Sequence, residues 1–285
     1  MLARALTFGR MIRFSHSVFA LPFALSSAAL AARGVGVSPR QLFWILVAMV
    51  GARSAAMGFN RLADQELDAR NPRTSGRELP RGALSRAEVW AFVVAAAGAL
   101  VLAAAMLNPL CLRLSPVALA IVFGYSYTKR FTALSHLALG LALGVAPVGA
   151  WIAVRGRIEA TPVLLGLAVL AWVGGFDVIY ACQDVEFDRH EGLHSLPARL
   201  GVGRALLLAR LLHAGALGLL ASLYPVAGLH PAYLAGVAVV GLLLVYEHSL
   251  VSPHDLSRVD AAFFAINGWI SVLYLGCVLA AVLLA

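Results

Sequence analysis

Charge is what this sequence has least of. Only 13% of its 285 residues are Asp, Glu, Lys or Arg, where a soluble globule carries roughly 25%. That shortage excludes an ordinary water-soluble domain. Together with 61% hydrophobic residues and a mean hydropathy of +0.86, it leaves an integral membrane protein. Ten-residue stretches of alternating polarity are missing too, which excludes a transmembrane β-barrel. The apolar runs instead reach about 20 residues, the length a helix needs to cross a bilayer. Cysteine is scarce: Cys111, Cys182 and Cys277 fall in or at the ends of apolar runs without CxxC spacing. Neither a disulfide nor a zinc site is therefore expected. Lysine is nearly absent, Lys129 being the single one. A net charge of +8 could suggest nucleic acid. The positive residues lie in short loops between apolar runs, however, where they set membrane orientation, so no nucleic-acid partner is expected. No small-residue cleavage site follows a short apolar core at the N-terminus, and the first run reads as a retained helix.

What is present is a succession of spans. After a short amphipathic lead-in over 1–13, nine are expected, at about 14–32, 41–62, 87–107, 112–128, 133–154, 162–183, 205–224, 229–249 and 262–284. The fold class expected is all-α: one polytopic domain over 1–285, nine transmembrane helices in one bundle with a central cavity. Abundant Gly and Ala within the spans permit close helix packing. A cytoplasmic N-terminus places fifteen Lys and Arg in cytoplasmic segments and five in the opposite loops, the bias of the positive-inside rule. The two longest polar loops, 63–86 and 184–204, both follow even-numbered spans and so open on one face.

The most polar run is NRLADQELDARNPRTSGRELPRG, Asn60 to Gly82. Asn60, Asp64 and Asp68 recur every four residues and share one face of a helix. Arg70, Arg73, Arg77 and Arg81 follow. Carboxylates at this spacing make a hard-oxygen site suited to Mg²⁺, and arginines beside them suit an oxyanion such as phosphate. The second loop, from Phe176 to Gly201, repeats the spacing with Asp184 and Asp188, preceded on the same expected helical face by Tyr180 and Asp177. Asp177 would lie roughly 10 Å deeper along the axis. Four carboxylates at one rim repel unless cations stand between them, and two Mg²⁺ bridging a diphosphate meet that need. GYSYTKRF, Gly124 to Phe131, brings Lys129 and Arg130 to the same face, where they suit a departing diphosphate. Arg53 lies inside the second span, where an unpaired charge is expensive and usually functional.

This ordered set resembles the UbiA superfamily of intramembrane aromatic prenyltransferases. The match runs through NxxxDxxxD (Asn60, Asp64, Asp68), the arginine-rich NPRTSGRELPRG, the tyrosine-lysine-arginine stretch before Phe131, and YxxxDxxxD (Tyr180, Asp184, Asp188) followed by EGLHSLPARLG. The resemblance implies a Mg²⁺-dependent enzyme that moves a polyprenyl group from polyprenyl diphosphate to an aromatic acceptor of the 4-hydroxybenzoate type, for respiratory quinones. It implies Asp64, Asp68, Asp184 and Asp188 as catalytic metal ligands supported by Asn60, and Arg73, Arg77, Lys129 and Arg130 on the diphosphate. Arg53, Asp177 and Tyr180 fall to the acceptor. The implied setting is a bacterial inner membrane with the site on its cytoplasmic side. The Asn60-Arg61 pair and the NPRT run are similar to relatives that prenylate 1,4-dihydroxy-6-naphthoate on the futalosine route to menaquinone.

Two other classes bear on the same residues. A secondary transporter could use Arg53 and Asp177 as an ion path, but such groups sit near the midplane of broken helices, and here the acids gather at one rim. A membrane phosphatidyltransferase would show one acidic cluster rather than two far apart. Interfacial acids are ordinarily solvated, and Glu186 and Glu191 are expected off the site face. Arg61, Arg81, Arg86 and Arg204 are expected as topology determinants, His16, His136 and His213 as packed polar residues, and Glu247 and His248 as the interfacial end of a span.

Overall fold

A computed structural model describes residues 2–12 and 19–285. Among these the chain forms α1 (Leu2–Met11), α2 (Leu21–Ala32), α3 (Pro39–Arg70), α4 (Arg86–Leu107), α5 (Pro109–Thr128), α6 (Ser135–Arg155) and α7 (Ala160–Ala181). Two short helices, α8 (Val185–His190) and α9 (Leu196–Leu200), precede α10 (Val202–Val226), α11 (Ala232–Ser249) and α12 (Asn267–Leu283). Eight segments are long and apolar enough to cross a membrane, and α2 is a shorter apolar helix. It stands for the first expected span, whose start and His16 lie outside the described residues.

The helix α3 carries the first acidic cluster. Ser38 and Gln41 form a reciprocal cap at its start, with Pro39 in the first turn. It ends at Asn71, which is extended (φ −84°, ψ 119°) as the residue before a proline must be. Its 32 residues make about 48 Å against about 30 Å of hydrocarbon. The helix therefore runs past the expected limit of the span near residue 62, and its last turns carry Asn60 to Arg70 beyond the apolar layer.

The helix α7 is the axis of the bundle. Of its apolar window 67% is buried within the protein, against 17–39% for the other spans. It packs between α6 and α10, with α2 against α6 and α12. The seam with α6 is close because a Cβ on Gly144 would lie 2.6 Å from the carbonyl oxygen of Gly166, and one on Gly166 2.7 Å from that of Gly144. Around α7 the rings of Phe23, Trp172, Phe176 and Phe263 pack in series at centroid distances of 4.9, 5.0 and 5.1 Å.

Two expectations are corrected here. Beyond Ala181 the chain tightens to a 3₁₀ turn, Cys182–Asp184, before α8 begins. With about three residues per turn there, Asp177, Tyr180, Asp184 and Asp188 do not keep one α-helical face. Glu247 is not interfacial: it is 0% exposed, because α12 covers it and Asn267 Nδ2 donates to its Oε1 at 2.8 Å.

Candidate active site

The first cluster is built at the emerging end of α3. Asp64 and Asp68 are only 3% and 5% exposed, a burial that carboxylates tolerate only when paired. Asp64 Oδ2 accepts from Lys129 Nζ at 2.7 Å and from Asn60 Nδ2 at 3.1 Å. Its Oδ1 accepts from Arg130 Nη2 at 3.2 Å, and the same guanidinium reaches the Ala63 carbonyl at 2.6 Å. Lys129 and Arg130 come from the end of α5, so two spans close on one carboxylate. Both oxygens of Asp68 accept from Arg77 Nη1, at 2.7 and 2.8 Å. Thr74 Oγ1 donates to the Asp68 carbonyl at 3.1 Å and folds the arginine loop back onto the helix.

The second cluster meets the first through that loop. Arg73 donates from Nε to Asp184 Oδ1 at 2.9 Å, from Nη2 to Asp184 Oδ2, and from Nη1 to the Tyr180 hydroxyl at 2.9 Å. Asn71 Nδ2 adds a bond to Asp184 Oδ1 at 3.1 Å. Burial alone would pull the Arg73 guanidinium down. The bond and charge of Asp184, with Tyr180 and Asp68 nearby, outweigh burial and hold it above its ordinary value. Asp188, on α8, is half-buried. Arg70 pairs with Glu191 at 3.0 Å, and the His194 N–H donates to the Lys129 carbonyl at 2.7 Å. The loops after α3, α5 and α7 are thus joined into one polar layer.

Asn60, Asp64, Asp68, Arg73, Arg77, Lys129, Arg130, Tyr180 and Asp184 are all gathered there. The four basic residues expected on a diphosphate are each engaged with a carboxylate. No three His, Cys, Asp or Glu side chains among the described residues are close enough together to hold a metal. The donor chemistry nonetheless fits Mg²⁺, since the carboxylates are hard oxygen ligands and their present partners are exchangeable. The cationic side chains are 20–32% exposed, so an anion entering from the face can reach them.

Arg53 stands apart. It lines an apolar cavity of about 230 Å³ between α3, α5 and α6, with Tyr125, Ser115, Met49 and Met57 among the wall residues. Seven residues separate it from Asn60, roughly 10 Å along the axis. Asp177, on α7, faces α6, where His136 Nδ1 bonds its Oδ2 at 2.7 Å. Three partners went unread in the sequence. Glu191, expected to be solvated, is 13% exposed against Arg70. Asn71 was read only as the start of the arginine-rich NPRT run, and its bond to Asp184 was not foreseen. Arg61, expected as a topology charge, is 5% exposed and reaches the Met11 carbonyl at 3.4 Å.

Comparison with known proteins matches this arrangement. A curated relative from Salmonella paratyphi C, described as 4-hydroxybenzoate octaprenyltransferase, is 30% identical over 278 residues, 96% of this chain and 95% of its own. Among solved structures, the apo form of a UbiA homolog from Aeropyrum pernix K1 superposes with a TM-score of 0.85 at 34% identity, over 93% of this chain and 97% of its own. A UbiA homolog from Archaeoglobus fulgidus, bound to DMAPP and Mg²⁺, shares the fold with a TM-score of 0.72 at 20% identity, over 98% of this chain and 100% of its own. The family described as the UbiA prenyltransferase family matches residues 20–283. With its two acidic clusters on one face of a polytopic helical bundle, the chain belongs to the UbiA prenyltransferase family.

Proposed function

We propose that the chain transfers a polyprenyl group from polyprenyl diphosphate to an aromatic hydroxy acid of the 4-hydroxybenzoate type, in respiratory quinone biosynthesis. The observation that carries this reading is the single polar layer. Three segments far apart in sequence pair Asp64, Asp68 and Asp184 with Arg73, Arg77, Lys129 and Arg130 at the edge of an apolar bundle. The name of the Salmonella relative and the ligands of the Archaeoglobus fold relative agree with it. The setting proposed is a bacterial inner membrane with this layer on the cytoplasmic side.

In the reaction the C1–O bond of the prenyl diphosphate breaks, a bond forms from C1 to the ring carbon ortho to the hydroxyl, and the ring loses a proton. Mg²⁺ held by Asp64, Asp68, Asp184 and Asp188, with Asn60 orienting Asp64, would neutralise the diphosphate and favour its departure. The chain's own cations do the rest at that end. Arg73, Arg77, Lys129 and Arg130 exchange their carboxylate partners for phosphate oxygens as negative charge develops there. Apolar helix faces take the tail. Arg53, deeper in the bundle, pairs with the acceptor carboxylate, while Tyr180 and Asp177 border the ring.

The Asn60-Arg61 and NPRT sequence favours a second acceptor, 1,4-dihydroxy-6-naphthoate. Purified protein given one labelled prenyl diphosphate, each acceptor in turn, and Mg²⁺ or EDTA tests both. Magnesium-dependent label in 4-hydroxybenzoate supports the first reading, and label in the naphthoate alone selects the second. Label in neither acceptor, with the protein folded, would sink the function.

A further inference from the structure

Buried behind the polar layer is a three-part clasp that the proposed reaction has not used. His136, the second residue of α6, is 3% exposed. Its Nε2 lies 3.3 Å from the backbone N–H of Leu196, the first residue of α9, which follows the second acidic cluster. A backbone N–H can only donate, so Nε2 carries the lone pair. The ring proton is therefore on Nδ1, where it is donated to Asp177 Oδ2 at 2.7 Å. An imidazolium would leave the Leu196 N–H facing another donor, so the tautomer is fixed by the backbone. Asp177 has one oxygen held and the other, Oδ1, without a hydrogen-bond partner among the described residues. Its side chain is 23% exposed, in a span where a carboxylate with no task would be costly. It stands one turn before Tyr180, whose hydroxyl contacts Arg73 of the diphosphate layer.

We infer that His136 is a positioning residue that aims Asp177 Oδ1 at the acceptor's phenolic hydroxyl, and that Asp177 takes this proton as the ring attacks. The inference rests on the proposed function. The proton passes from phenol oxygen to Oδ1, and the electron pair left on oxygen raises the nucleophilicity of the ortho carbon. That carbon bonds to C1 of the prenyl group as the diphosphate departs with the C1–O pair. The ring proton then leaves to the departed diphosphate, Asp177 returns its proton to the oxygen, and aromaticity is restored with Asp177 again a carboxylate. The general chemistry asks for a base within hydrogen-bond reach of the hydroxyl whose orientation a third group fixes, and the Leu196–His136–Asp177 series supplies that orientation.

The test measures kcat and both KM values for the full chain in membranes, on the acceptor that wild type uses. Asp177→Asn should lower kcat about 100-fold, the lower range of general-base effects. His136→Ala should lower it about tenfold, as loss of an orienting partner does. His136→Gln should stay within about threefold of wild type, because the amide can donate to Asp177 and accept from the Leu196 N–H. The prenyl diphosphate KM should not move. With 3-fluoro-4-hydroxybenzoate, whose phenol is more acidic, the Asp177→Asn deficit should shrink at least threefold, since less depends on the base. A deficit of the same size on both hydroxybenzoates would reduce Asp177 to a packing role and overturn the inference. So would wild-type kcat in Asp177→Asn. Should His136→Ala fail to fold, Asp177→Asn and His136→Gln still decide. Wild-type protein that uses neither acceptor would overturn the proposed function, and this inference with it; turnover indifferent to Asp177 overturns the inference alone.

Discussion

Asp64 is the residue on which most of the site turns. It is nearly buried, yet it accepts from three side chains of two helices. Removing it leaves Lys129 and Arg130 facing each other without an acid between them and, on the proposed function, would delete a metal ligand. Asp64→Ala or Asp184→Ala should therefore cost at least about 100-fold in transfer, the scale of losing a metal-holding group, while the protein still inserts. Transfer assays on membranes with matched protein levels check this, and activity within threefold of wild type would count against a two-cluster site. Arg53 makes a different prediction. Arg53→Lys keeps the charge but loses the planar fork that pairs with a carboxylate. The acceptor KM should rise about tenfold, the worth of one good hydrogen bond, with the prenyl diphosphate KM unmoved. An effect on the diphosphate alone would place Arg53 in the other half of the site. At this scale the sequence was legible where polar residues broke an apolar pattern at fixed spacing, as with Asn60, Asp64 and Asp68. It was silent on who pairs with whom. His136 and Glu191 look like ordinary packed and solvated residues until the loops fold over them, because pairing is decided by contacts between residues 41 and 121 positions apart.

Among the elements, the end of the chain shows how a helix irregularity can serve the site. Residues Ala261–Ile266 form a π turn at the start of α12, which leaves carbonyls without their usual i→i−4 partners. Asn267 Nδ2 reaches two of them, Ala262 at 3.1 Å and Phe263 at 3.3 Å, as well as Glu247. Its Oδ1 accepts from Trp172 Nε1 at 2.7 Å. One amide so fastens α7, α11 and the π turn, and the turn lays Phe263 on the Tyr180 ring at 4.2 Å. Asn267→Leu should leave Trp172 Nε1 and Glu247 Oε1 unsatisfied, at about 1–3 kcal/mol each. Melting in detergent should drop by several degrees, and transfer should fall as Tyr180 loses its backing. A melt matching wild type would mean that the network contributes little. None of this was readable from hydropathy. The window that marks a span is blind to whether a neighbour covers its end, and Glu247 at the end of α11 was for that reason expected at the membrane surface.

For the whole molecule, span parity said that the loops after α3, α5 and α7 share a face, and the contacts of Arg73, Lys129 and His194 join those loops. Which side of the membrane they face is a separate matter. Cysteines at Ser75, Thr132 and His190 should react with an impermeant thiol reagent only from the cytoplasm, and one at Gly156 only from the other side. Opposite labelling of Ser75 and His190 would be incompatible with the polar layer. The basic residues counted against this orientation carry less weight than their number suggests. Arg33 and Arg155 spend their donors on helix ends: Arg33 reaches the Gly228 carbonyl at 3.0 Å, and Arg155 reaches the carbonyls of Ala31 at 2.6 Å and Arg33 at 2.7 Å. They behave as C-caps rather than free charges.

The pairing of every site cation with a carboxylate gives the resting protein its own counter-ions, and that makes entry conditional. A bare diphosphate could win Arg73, Arg77, Lys129 and Arg130 only by abandoning Asp64, Asp68 and Asp184 uncompensated in a poorly hydrated layer. Free Mg²⁺ faces the mirror problem, because the carboxylates are already taken. On the proposed function, only the two together would leave every charge answered, and the layer would then act as a coincidence detector. Inorganic diphosphate alone and Mg²⁺ alone should therefore each raise the melting temperature little, while the combination raises it by several degrees. Strong thermal stabilisation by either one alone would contradict this. On the same proposal, loss of product diphosphate would let the side chains close on one another again, so that the emptied site would not be left as a cluster of repelling acids.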